Sequence, residues 1–429
     1  MTDDGDPPRP NGGHSHDHEG MLTLSAATDR VRELRRQWLD RLGSETVPIG
    51  SIGGRTLTEP IHAPEDRPAR SRSTMDGYAF DADDGYPYEL LDVEVFPEND
   101  PPGIEPGEAV RVFTGASIPP SANAVLKQEE AAIDDEDGSR TLSGPAIDPG
   151  TYVYERGSNA ERGERLFEAG EVLGPKDTLF LGDLGIERVT VRRRLSVGVL
   201  ATGTEIHEGR QTDLDSPMLE GLVRAWGHEP TYEGTVPDEY DRVRDRIAEL
   251  AESHDVVLTT GGTSVGRKDY VVRALSDLGE VLFHRVRLRP GKPIAVAELD
   301  AHDTIVFAIP GKPVGAHAVT TLVAGPFFTG RSRRPTVDSR VARDVGVPNA
   351  DSGFTYAIPV TLSGENGTES EAMPLGHADS ALSVYEETFD PSVLSSSTRA
   401  TRADGIALTQ TGLNAGESVD VVPYPVLER

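Results

Sequence analysis

After Arg194 the chain repeats one unit: a short apolar run, a glycine-bearing turn, then a stretch with helical spacing. Three of the runs end in ATGTE (201–205), TTGGTSVGRKDY (259–270) and IPGKP (309–313). Alternating strand and helix signals demand a parallel sheet, because parallel strands need a crossover and a helix is the usual one. Such crossovers are right-handed, so residues 193–333 are expected to form a doubly wound, mostly parallel α/β sheet domain. Strands are expected at 196–201, near 236, and at 255–260, 281–288, 294–299 and 304–309. Ser216-Pro217 reads as a helix start, with Ser as N-cap, and Gly227 as its stop. Asp238 reads as the cap of a helix over 239–253, and another helix follows Pro313.

In open α/β sheets, ligands bind beyond the carboxyl ends of the strands. Glycines there let the backbone approach a ligand and aim N–H groups at anions. The stretch from Gly261 is not a Walker A loop: a glycine recurs five residues on, but Arg267 follows it and no Lys-Ser/Thr pair does. GxGxxG is absent as well. Both observations argue against an ATPase and a dinucleotide-dependent oxidoreductase. Gly261, Gly262, Thr263 and Ser264 suit a phosphate or pterin cradle, with a purely structural tight turn as the alternative. In RLRPGKP (287–293) and just before it, Arg285, Arg289 and Lys292 are expected to converge on one face, with Arg287 on the other. Those cations, with Pro293, suit a tetrahedral oxyanion. A solvated face balancing an acidic surface is the competing reading. Glu205, Asp238 and Asp269 recur beside the loops; with phosphates nearby they suit Mg²⁺.

Composition narrows the function classes. Among 429 residues, 72 are acidic and 42 are Lys or Arg, a net charge of −30. Such a surface repels nucleic-acid phosphates and anionic membranes, so neither is an expected partner. Lysine occurs only five times, and Lys127, Lys268, Lys292 and Lys312 all lie in Gly/Pro-rich stretches. Many acids with few lysines fits a halophilic, salt-adapted cytoplasm, where the Debye length falls to about 3 Å at 1 M salt. GC-rich codon usage is the other explanation. Cysteine is absent, which excludes disulfides, thiolate nucleophiles and Cys-based metal sites. No apolar run approaches the roughly 18–20 residues that span a bilayer, and the acidic N-terminus lacks a signal-like core. A cytoplasmic protein is expected.

Residues 1–20 read as a disordered tail, with His14, His16 and His18 more plausibly solvated than metal-bound. An amphipathic helix is expected over 22–43, capped by Thr23 or Ser25. Residues 46–190 read as irregular and β-rich, with the acidic stretch 134–138 as a loop. Past 335 the chain reads all-β, with runs near 355–362, 405–410 and 418–423, as in a small C-terminal barrel. The expected layout is multidomain α/β plus β: 21–50 with 150–192 as a linker or dimerisation domain, 51–149 as a β-rich second domain, 193–333 as the sheet, and 334–429 as the barrel.

Seven segments in order resemble the molybdopterin molybdenumtransferase family, which includes the gephyrin E domain. They are STMDGYAF (73–80), FTGASIPPSANAVLKQ (113–128), GSNAERGERLFEAG (157–170), ATGTEI, TTGGTSVGRKDY, RLRPGKP and IPGKPVGA. The resemblance implies hydrolysis of adenylyl-molybdopterin with Mg²⁺, insertion of molybdate (or tungstate) at the dithiolene, and release of AMP. It also implies a homodimer, and the pathway's adenylyltransferase as a partner to consider. Asp76 and Thr114 match functional positions of the second domain; Glu205, Asp238 and Asp269 match acids of the sheet domain. Lys292, Pro310 and Pro313 match directly, whereas Arg285 and Arg289 stand where the family often has lysine. The chain departs from the family at Arg165, Pro217, Lys312 and Gly315. A carrier or scaffold paralogue without chemistry is the alternative function. The pathway's adenylyltransferase shares the sheet but lacks the flanking domains.

Overall fold

The computed structural model describes residues 20–136, 138–262, 270–331, 333–364 and 370–429. The expected tail, with its histidines, falls outside them but for Gly20. The chain divides into two compact units, residues 1–42 with 194–429, and residues 43–193.

In the first unit, helix α1 (Leu24–Leu39) is capped by Thr23, whose hydroxyl accepts from Ala26 N at 3.2 Å. Its buried stripe of Ala27, Val31, Leu34 and Trp38 recurs at helical spacing and packs with Leu322, Phe327 and Phe328. Then follow β1 (Ser196–Thr202), α2 (Asp215–Ala225), β2 (Glu229–Val236), α3 (Tyr240–Ala251), β3 (Val256–Thr260), α4 (Tyr270–Leu278), β4 (Glu280–His284), β5 (Val286–Arg289), β6 (Ala295–Leu299), β7 (Thr304–Ile309) and α5 (Pro313–Val319).

The sheet order is β2-β1-β3-β7-β6-β4. β2, β1, β3 and β7 run parallel, and β6 opposes both its neighbours. β3 and β7 are buried along their whole length. That explains their unbroken apolar and β-branched sequences, because helices cover both faces. Val256 and Leu258 pack in a core with Leu219 and Val223 of α2, while Val257 packs in another with α3 and α4. Each such side chain contributes about 1.5–3 kcal/mol by burial.

Three local expectations change. Ser216 does not cap α2; the Asp213 carboxylate, just ahead of the helix, accepts from Asp215 N at 3.2 Å and Ser216 N at 3.0 Å. Asp238 does not cap α3. Its carboxylate accepts from Thr204 N at 3.4 Å, and its own N–H donates to the Thr204 hydroxyl at 3.0 Å, which turns it toward the end of β1. The run 281–288 is two strands, because Arg285 takes a φ of 70°. β5 therefore leaves the sheet and pairs with Leu22–Thr23 and with Thr355 and Tyr356.

The C-terminal strands are β8 (Val337–Val341), β9 (Thr355–Ser363), β10 (Glu371–Pro374), β11 (Gly405–Thr409) and β12 (Ser418–Pro423). Their order, β9-β10-β8-β12-β11, closes through the β9–β11 pairing into the expected small barrel. Tyr356, Ile358, Val360, Ala407 and Val421 fill its core. A short helix, Pro391–Leu394, was not foreseen; the Asp390 carboxylate caps it by accepting from Ser392 N at 2.9 Å and Val393 N at 3.2 Å.

The second unit holds a six-stranded sheet and three two-stranded ribbons, the β-rich character expected for this stretch. The acidic stretch at 134–138 is no simple loop: Asp134 and Asp135 belong to strand Ala132–Glu136, paired with Ser139–Ser143. Both aspartates are exposed, so an edge strand accommodates them.

Candidate active site

β3 ends at Thr260, and the chain turns through Gly261 and Gly262 at φ of 87° and 64°. A Cβ on Gly261 would lie 2.5 Å from Thr202 O, and one on Gly262 would lie 2.7 Å from Val271 Cγ2. Both the left-handed backbone and the close approach require glycine. Thr263, Ser264 and Asp269 lie outside the described residues.

The stretch 285–294 folds back on itself. Arg285 N donates to Ile294 O at 2.7 Å, and Val286 N donates to Lys292 O at 3.0 Å. The Arg289–Pro290 peptide is cis, and Gly291 has a φ of 113°. A Cβ on Gly291 would lie 3.1 Å from Gly315 O in α5, so the loop sits tight on that helix. Gly315 itself is not sterically required, since a Cβ there would meet Gly291 N at an ordinary 3.4 Å.

These loops enclose a cavity of about 550 Å³. Glu205, Gly261, Gly262, Arg285, Arg289, Lys292, Pro293, Pro310 and Lys312 line it. Pro313 instead opens α5. Arg287 turns away, donating to Ser352 O at 3.5 Å. Strand alternation does not separate it from Arg285 and Arg289, because residues two apart in a strand share a face; it is absent from the cavity lining all the same. Gly311, Pro391, Ser392 and Ser395 also line the cavity and were not singled out as site residues. For the barrel residues a signal existed: Asp390-Pro391 is a cap followed by a first-turn proline.

Among the described residues, four cationic side chains thus line the cavity with one carboxylate, Glu205. In a chain of net charge −30 this reverses the sign locally. The Arg289 guanidinium lies 4.5 Å from the centroid of the Phe354 ring, a cation–π contact that orients it. Lys312 Nζ donates to Ser392 O at 3.3 Å. Burial, and then Arg285, hold the His284 imidazole below its usual range.

Sequence reasoning also missed Asp215, in the first turn of α2. It is 6% exposed. Its Oδ2 accepts from the Thr260 hydroxyl at 2.9 Å, and its Oδ1 has no partner among the described residues. Burial pushes this carboxyl up and Asp213 adds to the effect, against the Thr260 bond. A Cβ on Gly311 would lie 3.9 Å from Oδ2, which places the group just beneath the cavity floor.

Glu205 sits in the one-turn helix Thr204–His207, beside the Thr204 that binds Asp238. Among the described residues, no group of three or more His, Asp or Glu side chains comes together for a metal. Glu205 with Asp238 still suits Mg²⁺, which takes one or two carboxylates together with water and substrate phosphate oxygens.

In the second unit, Asp76 and Thr114 meet. One Asp76 oxygen accepts from Thr114 N and from the Thr114 hydroxyl, both at 2.7 Å. These two bonds hold the Asp76 carboxyl below its usual range.

Known proteins resemble this chain over most of its length. Residues 22–185 match the family model described as the MoeA N-terminal region (domain I and II). Residues 198–329 match the model of a probable molybdopterin binding domain. The molybdopterin molybdenumtransferase of Synechococcus elongatus is 32% identical over 67% of this chain and 74% of its own length. That of Bacillus subtilis is 31% identical over 79% of this chain and 82% of its own. A solved structure of a molybdopterin biosynthesis moeA protein from Pyrococcus horikoshii superposes with a TM-score of 0.73 at 27% identity, covering 94% of this chain and 99% of that one. This chain therefore belongs to the molybdopterin molybdenumtransferase family.

Proposed function

We propose that this chain inserts molybdate, or tungstate, into adenylyl-molybdopterin and releases AMP, the last step in forming the molybdenum cofactor. One observation carries the reading: a cation-lined cavity at the carboxyl ends of a parallel sheet, in a strongly acidic chain of this family. Arg285, Arg289 and Lys292 bind the oxyanion by charge-assisted hydrogen bonds, and Lys312 adds a fourth positive charge. The backbone at Gly261 and Gly262, continued by Thr263 and Ser264, cradles the pterin phosphate. Pro293, Pro310 and Pro313 hold the loops in shape.

Glu205, Asp238 and Asp269 would hold Mg²⁺, which supplies electrophilic polarisation of the pyrophosphate. Asp76 and Thr114 act in the same reaction from the second unit, and the working assembly is a homodimer. The acidic surface suits activity at high salt in a cytoplasm. The reading predicts AMP release from adenylyl-molybdopterin on adding molybdate with Mg²⁺, and none with a chelator; running molybdate and tungstate side by side sets the metal preference. Asp269→Asn should block turnover while leaving pterin binding largely intact. Tight pterin binding with no AMP release under any of these conditions would instead establish a carrier.

A further inference from the structure

We infer that the first unit carries a second anion site, for an oxyanion of the phosphate class, where the start of α1 meets the mouth of the barrel. A cavity of about 580 Å³ lies there, lined among others by Thr23, Ser25, Arg32, Arg334, Thr355 and Gln410. It shares no lining residue with the cavity at the sheet end. The chain has 72 acidic residues, yet none of the described ones lines this cavity.

Arg334 is the central group. It is half-buried, donates to Leu322 O at 2.8 Å, and makes no ion pair among the described residues. Burial, and then the facing Arg32, push its guanidinium below the usual range. Arg32 pairs with Asp29 at 3.0 Å and donates to Arg331 O at 3.4 Å, but the Asp29 carboxylate is 67% exposed and is not part of the lining. Two guanidinium groups set against one cavity repel until an anion enters between them. A planar guanidinium donates in a fork that matches a phosphate or sulfate oxygen pair. The first turn of α1, a helix of 16 residues, adds N–H groups without partners inside the helix; Thr23 occupies only that of Ala26. The hydroxyl and amide side chains of the lining complete a polar, anion-selective wall.

Titration calorimetry of the full chain with inorganic phosphate, in chloride-free buffer, tests the site. Two classes of phosphate site are expected in the wild type. Arg334→Met should weaken one at least tenfold and leave AMP release unchanged; Arg289→Met should weaken the other. Ser25→Asp places a carboxylate in the cavity mouth, where a helix N-terminus tolerates it. It should abolish the same class that Arg334→Met weakens while retaining the wild-type unfolding midpoint, so a folding defect in Arg334→Met would not obscure the result. A single class in the wild type, or two classes that survive both Arg334→Met and Ser25→Asp, would overturn the assignment.

Discussion

The chain positions two groups of polar side chains by opposite means. At the sheet end, backbone makes the site. Gly261 and Gly262 let β3 close onto β1, and the folded-back loop 285–294 sets three cations around one space. At Asp76 and Thr114, side chains make it: one exposed carboxylate takes both donors of one threonine. The first arrangement is stiff because covalent geometry fixes it, so small changes should be costly. The second rests on bonds that water can replace, so changes there should touch reactivity more than stability.

That contrast orders the expected effects. The largest belongs to Gly261→Ala, which forces a left-handed backbone on alanine and brings its Cβ to 2.5 Å from Thr202 O. It should destabilise the first unit by about 2–4 kcal/mol. An unchanged urea midpoint would break the claim that backbone geometry builds the site. Next comes Arg289→Met. Loss of a charge-assisted hydrogen bond is worth about 1.5–3 kcal/mol, so molybdate affinity by calorimetry should fall roughly 10- to 100-fold.

Asp215→Asn sharpens the comparison through pH. Burial holds this carboxyl above its ordinary value, so below about pH 4 both folded and unfolded states carry the proton and the group has no effect. As pH rises, the unfolded state ionises first and the folded state loses relative stability. Asn stays neutral, so the variant should be at least as stable as wild type, with the gap widening from acid toward neutral pH. A variant less stable at neutral pH would show that Asp215 works ionised. The smallest effect on stability is expected for Thr114→Val. The Asp76 carboxyl is held low, so its contribution is present above about pH 4 and is lost as pH falls through its folded value. The midpoint should drop slightly at neutral pH and not at all in strong acid.

Much of the fold was legible because burial on both faces leaves a plain mark. VVLTT and TIVFAI could hardly be anything but interior strands of a covered parallel sheet. Breaks were harder. Nothing local announces that Arg285 takes a positive φ, and only tertiary pairing of β5 with Thr355 and Tyr356 reveals why it does. The caps misled for a related reason. Asp238 has the right type and place for α3, but Thr204, distant in sequence, competes for it. Among site residues, the cations and glycines were visible beside their turns. Ser392 and Ser395 come from the barrel more than ninety residues beyond the 285–294 loop, and no periodicity links them to it. Asp215 was hidden because it stands out by its burial and by an oxygen with no partner among the described residues, neither of which a sequence shows.

The central claim is that the cation-lined cavity is where oxyanion and adenylylated pterin react. Single-turnover release of AMP, followed against molybdate concentration in wild type and Arg289→Met, tests it most directly. The account predicts stoichiometric AMP from the wild type, and a variant that needs at least about tenfold more molybdate for half-maximal release. No AMP from the wild type, or identical molybdate dependence in the two proteins, would contradict it.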